Sequence, residues 1–143
     1  MKIMLLVVGI SWLGWEAFVP SVRPVQTRAA RLEIAADSGK AIYDTYCLAC
    51  HQANGAGVPR LNPPLAKTDW VLGDKTRLIG VLLNGLDEEV EINGETYANA
   101  MPAHNFLTDK QIAEVLTFVR TNFGNQASAI TPPEVAAERA KKK

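Results

Sequence analysis

The first apolar run is uninterrupted. Residues 3–15 carry no charge and follow a single lysine, Lys2. A basic residue before an apolar stretch of this length matches the n- and h-regions of an export signal. Thirteen residues are too few to cross a bilayer. Extension to Val22 makes 20 positions with Glu16 as the only charge, long enough for an uncleaved anchor. Val19-Pro20-Ser21 is a tolerable cleavage site, and Arg23, Arg28 and Arg31 beyond it work against an anchor with its N-terminus inside. Residues 1–22 are therefore read as a signal peptide or membrane anchor, and the Arg/Ala-rich residues 23–36 as a linker.

Helical spacing begins after that. Ile42, Tyr43 and Tyr46 share one face of a helix expected over residues 39–47, with Asp37 or Ser38 as its cap. Residues 52–67 hold Gly55, Gly57, Pro59, Pro63 and Pro64 and read as a loop. A short helical turn is expected at 69–72. A second helix is expected at 75–84, with Leu78, Ile79, Leu82 and Leu83 apolar and Gly85 where a helix end favours a left-handed residue. Over residues 89–97 the apolar period drops to two around Asn93-Gly94, which predicts a β-hairpin. Thr108-x-x-Gln111 is a capping box that opens a last amphipathic helix to about residue 122, with Ile112, Val115, Leu116 and Val119 on its apolar face. Residues 125–143 read as a flexible tail with room for a short helix from Glu134. The fold class is all-α with a short hairpin insertion.

Composition narrows the chemistry. At 143 residues the chain holds one domain plus tails. Fifteen basic residues balance fifteen acidic ones, which argues against a nucleic-acid binder. The chain has two cysteines (Cys47 and Cys50), two histidines (His51 and His104) and three methionines (Met1, Met4 and Met101), so metal-ligand candidates are few.

Cys47-Leu48-Ala49-Cys50-His51 is C-x-x-C-H, the pattern of c-type haem attachment. Two thiols three residues apart at a helix end can each join one haem vinyl group. The next residue then falls under the iron, where an imidazole becomes the proximal ligand. Three rivals fit less well. A thioredoxin-like dithiol needs a strand before the motif and a helix after it, the reverse of the order here. Zinc needs four ligands and would consume both cysteines and both histidines. A disulfide between Cys47 and Cys50 would leave His51 unexplained. On the far side of the iron only Met101 and His104 remain as donors, apart from lysines. Met101 is preferred, because Pro102 stiffens its loop and a thioether opposite His raises the potential. His104 is expected to be a partly exposed loop residue.

Over residues 37–124 the chain resembles the class I mono-haem cytochromes c, a small fold of three to five helices around one haem. The resemblance rests on a helix ending in Cys-x-x-Cys-His, Pro63-Pro64-Leu65 after the loop, Met101-Pro102, and the C-terminal amphipathic helix. It implies covalent haem c on Cys47 and Cys50, with His51 proximal and Met101 distal. It also implies that the Pro63 carbonyl orients the His51 ring, and that Leu65 packs on the haem. Gly39 and Tyr43 would meet Phe118 where first and last helices cross, and Trp70 would lie near a propionate. The flavour is that of cytochrome subunits serving quinoprotein and other periplasmic dehydrogenases.

With both axial positions filled by protein, the expected task is outer-sphere transfer of single electrons and not catalysis. The partners implied are a periplasmic dehydrogenase and a terminal oxidase or reductase, at the periplasm or the outer face of the inner membrane, with possible anchoring through the N-terminus. The alternative is a permanently bound cytochrome subunit of a larger oxidoreductase. A haem enzyme or gas sensor is the weakest reading, since no catalytic acid, base or nucleophile accompanies an open site. Residues 37–124 hold seven basic and eleven acidic residues, and five of the acids, Asp87, Glu88, Glu89, Glu91 and Glu95, crowd the hairpin. They are a solvated face or a docking patch for a basic partner.

Overall fold

The computed structural model describes residues 27–141. The expected leader and residues 23–26 of the expected linker lie outside the described residues. Among the described residues no helix is long and apolar enough to cross a membrane.

Helix α1 spans Arg28–Tyr46, not residues 39–47. Its cap is Thr27, whose hydroxyl accepts from the Ala30 N–H at 3.2 Å. Asp37 and Ser38 therefore lie inside the helix. From Arg28 to Ser38 the sequence is rich in Ala and contains no Gly or Pro, so nothing in it stops a helix propagating. A one-turn helix, α2 (Leu48–His51), follows the break at Cys47.

Helix α3 (Asp69–Leu72) is capped by Thr68, and α4 (Lys75–Asn84) by Asp74. Both occupy the expected residues. Gly85 ends α4 with φ +75°, as its position predicts. Strands β1 (Val90–Ile92) and β2 (Glu95–Tyr97) pair antiparallel, Val90 opposite Tyr97 and Ile92 opposite Glu95. Asn93 and Gly94 both have positive φ, the signature of a primed hairpin turn. Ile92 and Tyr97 are buried, while Glu91 lies exposed on the opposite face. Helix α5 (Asp109–Thr121) carries the complete Thr108/Gln111 capping box.

The core forms where α1 crosses α5. Gly39 sits at the crossing. A Cβ there would collide with the Glu114 carbonyl oxygen and come within 2.8 Å of the Phe118 Cβ. One turn on, Tyr43 is buried against Phe118 and Phe123, with ring centroids 5.4 and 5.2 Å away. Its hydroxyl donates to the Gln52 carbonyl at 2.7 Å, tying the helix to the loop after α2.

The expected flexible tail is instead a packed element. Helix α6 (Pro132–Ala140) buries Val135 completely against α4 and α5. The Thr117 hydroxyl donates to the Ile130 carbonyl (3.1 Å) and accepts from the Ile130 N–H (3.0 Å). Arg120, 3% exposed, donates to the carbonyls of Val71, Gly73 and Ser128. Arg139 reaches Asp109 at 2.7 Å and the carbonyls of Asn105 and Leu107. Apart from the Arg139–Asp109 pair these are side-chain to backbone bonds between residues far apart on the chain, which leave no periodic trace in the sequence.

The Lys75–Glu134 pair (2.9 Å) makes this clamp sensitive to acid. Burial alone would raise the Glu134 carboxyl. Hydrogen bonds from Lys75 and from the N–H and hydroxyl of Thr131 (2.7 and 2.8 Å) outweigh it and hold the carboxyl below the usual carboxylate range. The folded value is therefore lower than the unfolded one, about 4.3. The stabilisation is present above that unfolded value and is lost as pH falls through the folded one. Amide protection factors within α6, the observed exchange rate referred to the intrinsic rate at the same pH, are expected to fall as the pH drops through the folded value, and to be low already at neutral pH in Glu134→Gln.

Candidate functional site

The short helix α2 presents the site. The N–H groups of Cys50 and His51 both donate back to the Cys47 carbonyl, at 3.2 and 2.9 Å, which closes one turn and ends it on His51. Both cysteines are free thiols, Cys47 half-buried and Cys50 exposed. Burial, and secondarily the neighbouring Cys50, push the Cys47 thiol up to about 11.

The loop that follows turns back on α2. Gln52 has φ +63°, and Gly55 and Gly57 are also left-handed. A Cβ on Gly57 would come within 2.7 Å of the Pro63 carbonyl carbon, so only glycine lets the two stretches lie this close. The Leu65 N–H donates to the Gly55 carbonyl at 2.7 Å. This return brings the Pro63 carbonyl 3.0 Å from Nδ1 of His51. A carbonyl cannot donate, so Nδ1 carries the proton and Nε2 keeps its lone pair. Burial lowers the proton affinity of His51, the Pro63 bond partly opposes this, and nearby His104 lowers it further. The result is a neutral imidazole with one fixed donor nitrogen, the form a metal ligand requires.

These residues open on a mainly apolar cleft whose enclosed part is about 140 Å³. Cys47, Cys50 and His51 form one part of its lining, and Pro63 and Leu65 another. Leu78 and Leu82 of α4, Val115 and Leu116 of α5, and Val90, Ile92 and Tyr97 of the hairpin complete the apolar lining. The hairpin is therefore part of the cleft, not an appendage.

Met101 lines the same cleft. Its N–H donates to the Leu86 carbonyl (2.7 Å), and its carbonyl accepts from the Leu86 N–H (2.9 Å). That bridge, close against left-handed Gly85, fixes the Met101-Pro102 loop to the end of α4. Trp70 lines the cleft half-buried, with the Arg77 guanidinium 4.5 Å over its ring. The structure corrects the expectation for His104. It is not a partly exposed loop residue but 7% exposed, lines the cleft, and leaves Nδ1 without a partner.

Asn125 was not legible as part of this site. Its side-chain amide donates to the carbonyls of Leu65 (2.9 Å) and Val119 (2.7 Å), and its oxygen accepts from the Lys67 N–H (2.7 Å). It thereby ties the Pro63–Leu65 return to α5. A lone Asn after a helix-ending glycine carries no local signal of such a role.

The family model for cytochrome c matches residues 36–123. The chain belongs to the cytochrome c family. Its helices and small hairpin are accordingly a cytochrome c fold, and the cofactor is haem c, bound covalently, one per such domain. The cytochrome is 35% identical over 132 residues to cytochrome c-552 of Thermus thermophilus, covering 77% of this chain and 88% of that protein. It is 37% identical over 102 residues to the cytochrome c subunit of the quinone alcohol dehydrogenase of Gluconacetobacter polyoxogenes (67% and 22%). It is 35% identical over 106 residues to the gluconate 2-dehydrogenase cytochrome c subunit of Pantoea cypripedii (71% and 24%). The matched region is thus about a quarter or less of each of those two subunits. The residues present fit haem c: two free thiols, a neutral imidazole beside them, a thioether and an apolar cleft, with a buried nitrogen that has no protein partner.

Proposed function

We propose that Cys47 and Cys50 carry the haem through thioether bonds, that His51 is its proximal ligand and Met101 its distal ligand, and that the protein relays single electrons outside the cytoplasm between a dehydrogenase and a respiratory acceptor. The observation that carries this is the His51 imidazole, buried in an apolar cleft one residue past a free thiol and oriented by the Pro63 carbonyl at 3.0 Å. Bound haem c supplies a reversible one-electron couple. Pro63 fixes the His51 tautomer and strengthens its donation. Leu65 lines the cleft where it would pack on the haem, and the aliphatic walls from α4, α5 and the hairpin would keep water from it. The export reading of residues 1–22 supplies the compartment.

The acidic hairpin bears on the partner. Asp87, Glu88, Glu89, Glu91 and Glu95 are all exposed, before and along a hairpin whose Val90, Ile92 and Tyr97 line the cleft. Opposite charge on a partner would steer encounter toward this edge of the cleft. The bimolecular rate of electron transfer with a basic redox protein is expected to fall steeply as salt rises from about 10 to 500 mM, as the Debye length contracts from about 30 Å to a few Å. Replacing Glu88, Glu89 and Glu91 by Gln should flatten the dependence. A stopped-flow rate indifferent to salt would remove the steering role.

The matches to dehydrogenase cytochrome subunits favour a second reading, a cytochrome held permanently by a catalytic chain. Elution of the native protein as a monomer with reversible redox cycling supports the relay. Co-elution with a dehydrogenase supports the subunit.

A further inference from the structure

Among the described residues one buried side-chain polar atom has no hydrogen-bond partner, Nδ1 of His104. Leaving such a nitrogen unpaired is costly. The ring is flanked by carbon. Tyr46 lies edge-on at 6.3 Å between centroids and Phe106 at 5.7 Å, and neither ring face accepts a strong hydrogen bond. The backbone is held at both ends. Its N–H donates to the Leu82 carbonyl at 2.8 Å and its carbonyl accepts from Leu107 at 3.1 Å. The imidazole therefore stays inside, in the lining of the cleft it shares with His51 and with Met101, three residues earlier.

We propose that His104 is a standby axial ligand, a nitrogen donor that takes the distal iron position when the Met101 thioether is lost. This rests on the haem reading above. Thioether sulfur is the more vulnerable donor: a peroxide transfers one oxygen atom to it, leaving as water, and the sulfoxide is polar and sterically changed. In the exchange an iron–sulfur bond breaks and an iron–nitrogen bond forms, with no electron gained or lost. The product is a bis-histidine centre that still carries electrons, at a lower potential than His/Met. It also remains closed to small molecules, so oxidative damage would not open the iron to peroxide chemistry.

The test is spectroscopic, on holoprotein matured in a haem-attaching host. Met101→Leu is expected to remain low-spin in the ferric state with nitrogen ligation, having lost the weak red band of thioether–iron. Met101→Leu combined with His104→Phe is expected to turn high-spin. His104→Phe alone should keep the thioether band, since the ligand it removes is held in reserve. If Met101→Leu gives no folded holoprotein, mild peroxide treatment of the native protein and of His104→Phe makes the same comparison. A Met101→Leu spectrum already high-spin and equal to that of the double variant overturns the proposal. Loss of the thioether band in His104→Phe alone overturns it too. A native chain without covalent haem would instead refute the underlying haem reading.

Discussion

The Cys47→Ala, Cys50→Ala double variant, passed through haem-maturation machinery, is expected to emerge without covalent pigment and largely unfolded. The reason lies in what lines the cleft. Leu78, Leu82, Val115, Leu116 and Ile92 turn apolar surface toward about 140 Å³ of enclosed space that the protein does not fill with its own side chains. A residual void costs about 24 cal/mol per Å³. A void of that size left unfilled costs about 3 kcal/mol, a large share of the whole net stability of a domain, about 5–15 kcal/mol, and the apolar walls of the open mouth would face water besides. The cofactor is therefore part of the core, and covalent attachment keeps it there. Far-UV circular dichroism should show most of the helix content lost, and intact mass should be lower by one haem beyond the substitutions. A pigment-free variant with native helicity and a sharp unfolding transition would mean that the polypeptide closes the cleft by itself.

The second large effect is expected at Gly39. Alanine favours a helix interior over glycine by about 1 kcal/mol, so on local grounds Gly39→Ala should stabilise. The crossing reverses the sign. A Cβ there meets the Glu114 backbone carbonyl, which belongs to α5 and cannot rotate away as a side chain could. Separating α1 from α5 would loosen Tyr43, Phe118 and Phe123 together. Overpacking of this kind costs about 1–3 kcal/mol for a small insertion. Gly39→Ala is expected at the upper end of that range, with Gly39→Val yielding no stable holoprotein. Gly80 supplies the control. It lies within α4 with no atom within 4 Å of where its Cβ would be, so Gly80→Ala should stabilise by about 0.5–1 kcal/mol. Thermal unfolding of the two holoproteins, one moving down and the other up, checks both signs.

Elements whose causes are local were legible in advance. Thr108 and Gln111 announce the start of α5, Asn93-Gly94 the hairpin turn, and Gly85 the end of α4, because caps and left-handed turns are decided within four residues. The Pro63 carbonyl was found through resemblance, not periodicity, since a backbone acceptor leaves no mark on residue type. What was missed depends on distant partners. The N-terminal half of α1 resembles a linker in sequence although its composition permits a helix, because Asp37 and Ser38 look like a cap. The α6 clamp hangs on Arg120, Thr117 and Arg139 meeting backbone far along the chain. His104 was expected near solvent because it follows a Met-Pro loop. Its burial is set by Leu82, Tyr46 and Phe106, none of them its neighbour on a helix face.

The attachment assignment is tested most directly by intact mass and a pyridine haemochrome spectrum of the purified, matured protein. Cys47 and Cys50 bonded to one porphyrin predict a mass higher by one haem and a c-type spectrum that survives acid-acetone extraction. A colourless protein, or pigment that passes into the acid acetone, would contradict it.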